Sequence, residues 1–188
     1  MIEEVFFSIK DSDIIGAAER LFAAEASLKN CVYRNEWVKA MHQVERQQDN
    51  LDYIIHEVGK HGISSMGKFA KIYAYAFVYR ATCKELFLAR TPTPMTKERK
   101  RYWYNKRDEV RQSLIKMIDM YYDHEAKASG KYILWELMVK RNGCSHVLLS
   151  SRNKHLIMVE YNGALRHIQK GEMYFIAKEY KEKDNGVN

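Results

Sequence analysis

At 188 residues the chain has the length of one domain, or of one domain with a small appendage, and its 46% apolar and 29% charged residues exclude a disordered polymer. Three cysteines, Cys31, Cys83 and Cys144, stand far apart without any Cys-x-x-Cys spacing, which excludes a disulfide framework and a zinc knuckle and fits reduced thiols in a cytoplasm. The net charge of +7 is uneven: residues 1–60 hold 7 Lys/Arg against 11 Asp/Glu, residues 61–128 hold 14 against 7, and residues 129–188 hold 10 against 6.

The first ten residues contain the apolar run Val5-Phe6-Phe7, too short for a secretory signal, and no window approaches the ~18 consecutive apolar residues of a membrane span. A cytoplasmic protein without a membrane span is expected. From Asp11 to about Asn30, Ile14, Ile15, Ala18, Leu21, Phe22 and Leu28 recur at helical spacing behind a cap at Ser12 or Asp13. Tyr33, Trp37, Met41, Val44, Gln48, Leu51, Ile55 and Val58 then track the stripe of a second, long helix, which Gly59 and Gly62 should stop. A third helix, capped by Ser64 or Ser65 and running to Arg90, places Phe69, Ile72, Ala76, Tyr79, Cys83, Leu86 and Phe87 on one side. Arg80 lies at the edge of that stripe, where a paired or snorkelling side chain is expected. Thr91-Pro92-Thr93-Pro94 breaks the chain, and Thr96 is placed to cap a fourth helix reaching about Ala128.

Beyond Ser129-Gly130 the period falls from 3.6 towards 2, with Ile133, Trp135, Leu137 and Val139 alternating against Leu134, Glu136, Met138 and Lys140. Arg141-Asn142-Gly143, Ser151 to Lys154, Asn162-Gly163 and Lys170-Gly171 are spaced as hairpin turns. The strands expected between them are His146–Ser150, His155–Tyr161, Leu165–Gln169 and Glu172–Tyr180. The expected fold is therefore α+β: a four-helix bundle over residues 1–128, its first half acidic and its second basic, then an antiparallel β-meander over 129–181 packed on the bundle, and a frayed tail over 182–188.

The segment 97–111, Lys-Glu-Arg-Lys-Arg-Tyr-Trp-Tyr-Asn-Lys-Arg-Asp-Glu-Val-Arg, is the most distinctive. It carries seven cations, three acids and three aromatics. On a helix at about 100° per residue, Trp103, Val110, Leu114, Met117 and Tyr121 share the core face. Lys97, Lys100, Arg101, Arg107 and Arg111 then share an adjoining band with Tyr104 in its middle. A cationic band holding one aromatic ring suits a phosphate backbone with one stackable base. The turn cations Arg152, Lys154, Arg166, His167 and Lys170 are candidates for further phosphate contacts.

Nucleophile and nucleotide-loop signatures are absent: there is no Gly-x-Ser-x-Gly, no Gly-x-x-x-x-Gly-Lys-Ser/Thr and no Gly-x-Gly-x-x-Gly. His56-Glu57-Val58-Gly59-Lys60-His61 has one residue too many for a zinc-protease helix. His42, Glu45, Asp49, Asp52 and His56, spaced 3, 4, 3 and 4, lie on one ridge of the second helix and would need ligands from another helix to hold a divalent metal. The leading expectation is a non-catalytic protein without a cofactor that binds DNA or RNA through Lys97, Lys100, Arg101, Tyr104, Arg107 and Arg111. The alternative is an assembly module in which charge-complementary surfaces meet an acidic protein or form a homo-oligomer. A metal-dependent hydrolase using the ridge of the second helix ranks below both.

Overall fold

The computed structural model describes residues 11–61, 70–88 and 95–182. These form five α-helices and a three-stranded antiparallel sheet, an α+β fold with its sheet in the C-terminal third. The helices are α1 (Asp11–Ser27), followed by a 3-10 turn (Leu28–Asn30), α2 (Arg34–His61), α3 (Ala70–Leu88), α4 (Lys97–Ser129) and α5 (Lys154–Leu165). The strands are β1 (Lys131–Arg141), β2 (Cys144–Ser151) and β3 (Glu172–Glu182). The expected caps at Ser64 or Ser65, the break at residues 91–94 and the end of the tail lie outside the described residues. No described helix is long and apolar enough to cross a membrane.

The chain divides into two compact units, Met1–Ala18 with Gln48–Met120, and Glu19–Gln47 with Tyr121–Asn188, so α1, α2 and α4 each contribute residues to both. The core of the first unit is drawn from Ile14, Ile15 and Ala18 of α1, Leu51, Ile55 and Val58 of α2, Ile72, Ala76 and Tyr79 of α3, and Val110, Leu114 and Ile118 of α4. Spacings of three and four put each set on a single stripe, and burying such stripes is what holds the unit together. Arg80 is buried within this unit and donates from Nε and Nη2 to the two carboxylate oxygens of Asp52, at 2.9 and 3.1 Å. Tyr73 adds a hydroxyl bond to the carbonyl of Ile55 at 3.3 Å.

In the second unit, β1 is the central strand, with β2 and β3 antiparallel on either side. Asn142 (φ 49°) and Gly143 (φ 81°) make the tight β1–β2 turn, a left-handed pair that Asn-Gly adopts at little cost. Leu137 and Val139 of β1 and Ile157 of α5 are buried, as are Leu21, Phe22, Val44 and Ala126 of the same unit.

The segment His155–Tyr161 is not a strand but lies in α5, and Leu165–Gln169 ends that helix and turns toward β3. Asn153 caps α5 by accepting the N–H of Leu156 at 3.1 Å. Gly163 is not a hairpin glycine either: a Cβ at this helical position would stand 2.8 Å from Nδ2 of Asn30, so the residue is a point of close approach. The stripe of α2 also starts later than its periodicity suggests, because Tyr33 (68% exposed) and Trp37 (49%) face solvent and burial begins at Val44.

Candidate nucleic-acid interface

Thr96 opens α4, its hydroxyl accepting the N–H of Arg99 at 3.2 Å and its carbonyl that of Lys100 at 2.9 Å. The five residues that follow, Lys97, Glu98, Arg99, Lys100 and Arg101, are all exposed. Four of them are cationic, at the end of a helix whose free N–H groups and aligned dipoles already present positive charge. Among the described residues, Lys97, Arg99, Lys100 and Arg101 have no carboxylate partner. Local helix chemistry favours acids at this end and supplies only Glu98. These charges therefore do not serve the stability of α4.

One turn further on the arrangement changes. Arg107 is partly buried, donates from Nη2 to Asp108 at 2.7 Å, and lies 5.2 Å from the centre of the Tyr104 ring. Burial works against the charge of its guanidinium, but the hydrogen bond and charge of Asp108 outweigh it and raise its pKa. Lys106 reaches Glu109 at 3.2 Å, and Arg111 is half-buried and already engaged within the protein. Of the six residues singled out from sequence, Lys97, Lys100, Arg101 and Tyr104 are thus exposed around the first two turns, whereas Arg107 and Arg111 turn towards the unit they belong to. Tyr104 retains 39% exposure with a guanidinium on one face, leaving its remaining surface available for stacking.

Two further residues join this surface, Arg99 and Tyr102, the latter 59% exposed and edge-on to Trp103 at 5.3 Å. Helical angles place Arg99 near the core face, but the buried stripe of α4 begins only at Val110, so that face is still solvent at residue 99. The sequence signal for both was the unbroken density of cations and aromatic rings, not their angle.

Several of the other candidate groups are engaged in structure. On the α2 ridge, His42 meets Glu45 at 3.2 Å, and Asp52 serves Arg80 and, at 3.1 Å, Lys84. Burial pushes the Asp52 carboxyl up, yet Arg80 and then Lys84 hold it below its ordinary value. Among the described residues no three His, Cys, Asp or Glu side chains converge as metal ligands. In the second unit, Arg152 pairs with Asp123 at 2.6 Å, and Arg166 donates to the Asn30 carbonyl and to Glu36, both at 2.8 Å. The N–H of Val32, then that of Tyr33 and Arg166, hold the Glu36 carboxyl below its ordinary value against the opposing effect of burial. Lys154 and Lys178 place their ammonium groups 4.9 and 5.5 Å from the Trp135 ring.

No family model, curated protein or solved structure matches this chain.

Proposed function

We propose that this protein binds nucleic acid without catalysing a reaction on it, docking a phosphate backbone on the first two turns of α4. The observation that carries the reading is the set of four exposed cations, Lys97, Arg99, Lys100 and Arg101, without described carboxylate partners at the helix end least suited to positive charge. Folding gains little from them, whereas a polyanion gains both their Coulomb attraction and the release of its own counterions. Tyr104, backed by Arg107, is the stacking platform, and Tyr102 offers a second exposed ring. Recognition is of shape and charge rather than of base edges, since the sequence carries no finger, aromatic RNA-binding sheet motif or helix-turn-helix signature.

Fluorescence polarisation with labelled single- and double-stranded DNA and RNA, over about 50 to 200 mM salt, tests this reading. Binding that weakens steeply with salt is the expected result. Flat traces for every probe would overturn it and transfer the α4 cations to an acidic protein partner.

A further inference from the structure

We infer that the cleft between the 3-10 turn Leu28–Asn30 and helix α5 binds a free aliphatic α-amino acid, its carboxylate held at Lys29 and its ammonium at Glu160. The inference is independent of nucleic-acid binding, because every residue it uses lies in the second unit and none in α4.

Glu160, Gly163, Ala164 and His167 are spaced 3, 1 and 3, which puts them on one stripe of α5 and of the turn that ends it. Ile157, three residues before Glu160 on that stripe, is fully buried. From Glu160 onward the stripe borders a cleft of about 270 Å³. Lys29, Asn30, Cys31 and Val32 supply further lining, and Leu137 of β1 adds a buried apolar side chain. The two sides are tied together: Arg166 donates to the Asn30 carbonyl and to Glu36, both at 2.8 Å, and the Cys31 thiol donates to the Ser27 carbonyl at 3.3 Å. A cleft braced in this way exists before a ligand arrives.

Lys29, Glu160 and His167 bring ionisable side chains to the lining, and among the described residues none of the three makes a hydrogen bond or an ion pair through its side chain. Lys29 and Glu160 thus share a cleft without pairing with each other. Glu160 is half-buried, where a carboxylate without a partner is costly. Asn30 adds a third unanswered group: its amide packs against Gly163, and its buried Nδ2 has no hydrogen-bond partner among the described residues.

These groups select the occupant. A simple anion answers Lys29 and faces Glu160 with like charge, a simple cation does the reverse, and a peptide terminus brings only one charge of the two. A free α-amino acid carries both on one carbon atom. Its carboxylate is also the acceptor that the Asn30 amide, next to Lys29 in the chain, lacks. Its side chain is left to Val32, Leu137 and Ala164, an aliphatic lining without an aromatic ring. The volume lies below the roughly 300 to 1,000 Å³ that encloses drug-sized ligands, which suits an occupant of the size of leucine.

A nuclear magnetic resonance titration of the full, isotope-labelled chain with L-leucine, without nucleic acid, reads this out against an expected dissociation constant of about 0.1 to 1 mM. Amide signals of Asn30, Gly163 and Ala164 should shift and saturate. N-acetyl-L-leucine, which lacks the ammonium, and L-leucinamide, which lacks the carboxylate, should each bind the wild type about tenfold more weakly. Glu160→Gln should weaken L-leucine about tenfold and leave N-acetyl-L-leucine unchanged. Lys29→Gln, at an exposed position, should weaken L-leucine about threefold and leave L-leucinamide unchanged. Neither side chain has a described partner to lose, so both variants should keep the circular dichroism of the wild type, and the three-ligand comparison needs the wild type alone. No saturating shift with L-leucine, or shifts confined to other residues, would overturn the inference. So would blocked ligands that bind as tightly as L-leucine, or a folded Glu160→Gln variant with undiminished affinity.

Discussion

Arg80 and Arg101 carry the same guanidinium and have opposite surroundings. Arg80 is 6% exposed and fixed by two hydrogen bonds to Asp52, whose Oδ2 is shared with Lys84. Arg101 stands in solvent with Lys97, Arg99 and Lys100 and no described carboxylate partner. A cation removed from water must be compensated locally, and within the first unit Asp52 does this for Nε and Nη2 of Arg80, although its buried Nη1 has no hydrogen-bond partner among the described residues. A cluster of cations at a helix N-terminus has no such explanation among the described residues, which is why the proposed function looks for its counter-charge in a bound polyanion. The contrast distinguishes a compensated, buried charge from exposed ones, which a count of Lys and Arg cannot do.

The largest effect that sharpens this contrast is at the buried pair. Asp52→Ala leaves Arg80 buried with no carboxylate and should destabilise the protein by about 3 kcal/mol, seen as a lower midpoint in urea unfolding. Arg80→Met should cost less, because Asp52 keeps Lys84 and part of its hydration. Equal losses for the two variants would break the argument that burial of the guanidinium sets the cost.

Next in size is the stacking platform. Tyr104→Ala should weaken binding of a single-stranded probe by about 1 to 3 kcal/mol and leave the unfolding midpoint nearly unchanged, whereas Tyr104→Phe should retain the affinity. A Tyr104→Ala variant that binds like the wild type would remove the aromatic ring from the interface.

The pH dependence follows from Asp52. Its folded-state pKa lies below the ordinary 3.8, so its contribution to stability is complete above that value and is lost as the pH falls through the folded value. Stability should therefore decline on acidification below about pH 4, and in urea titrations the Asp52→Ala variant should show a shallower decline than the wild type. Identical acid slopes would contradict the pairing.

The smallest effect has the opposite sign. Lys97→Glu places an acid in the first turn of α4 and should raise stability by about 0.3 to 1 kcal/mol while weakening nucleic-acid binding. A variant that lost stability would show that the fold does depend on this charge.

Much of this architecture was legible in the sequence where local chemistry decides it. The extents of α1, α2 and α4, the cap at Thr96 and the Asn142-Gly143 turn each follow from residues a few positions apart. The segment 154–165 was illegible for the converse reason. Its β-rich composition and Asn162-Gly163 pair favour a hairpin locally, but Ile157 is fully buried and the amide of Asn30, more than a hundred residues earlier, comes up against Gly163. Within the site, the exposed positions of Lys97, Lys100, Arg101 and Tyr104 could be read from helical angles. The partial burial of Arg107 and Arg111 and the exposure of Arg99 depend on where along α4 the core begins, which its own sequence does not state.

The most direct test of the account is the slope of log affinity against log salt for a nucleic-acid probe, compared between two variants. Lys100→Gln with Arg101→Gln should lower its magnitude by about 1.4 to 1.8, two backbone contacts' worth, whereas Arg107→Gln with Asp108→Asn, which removes an already compensated cation, should leave it within error. Equal changes in the two variants, or no change in the first, would contradict the central claim that the free cations of the first turn of α4 are the ones that meet the phosphates.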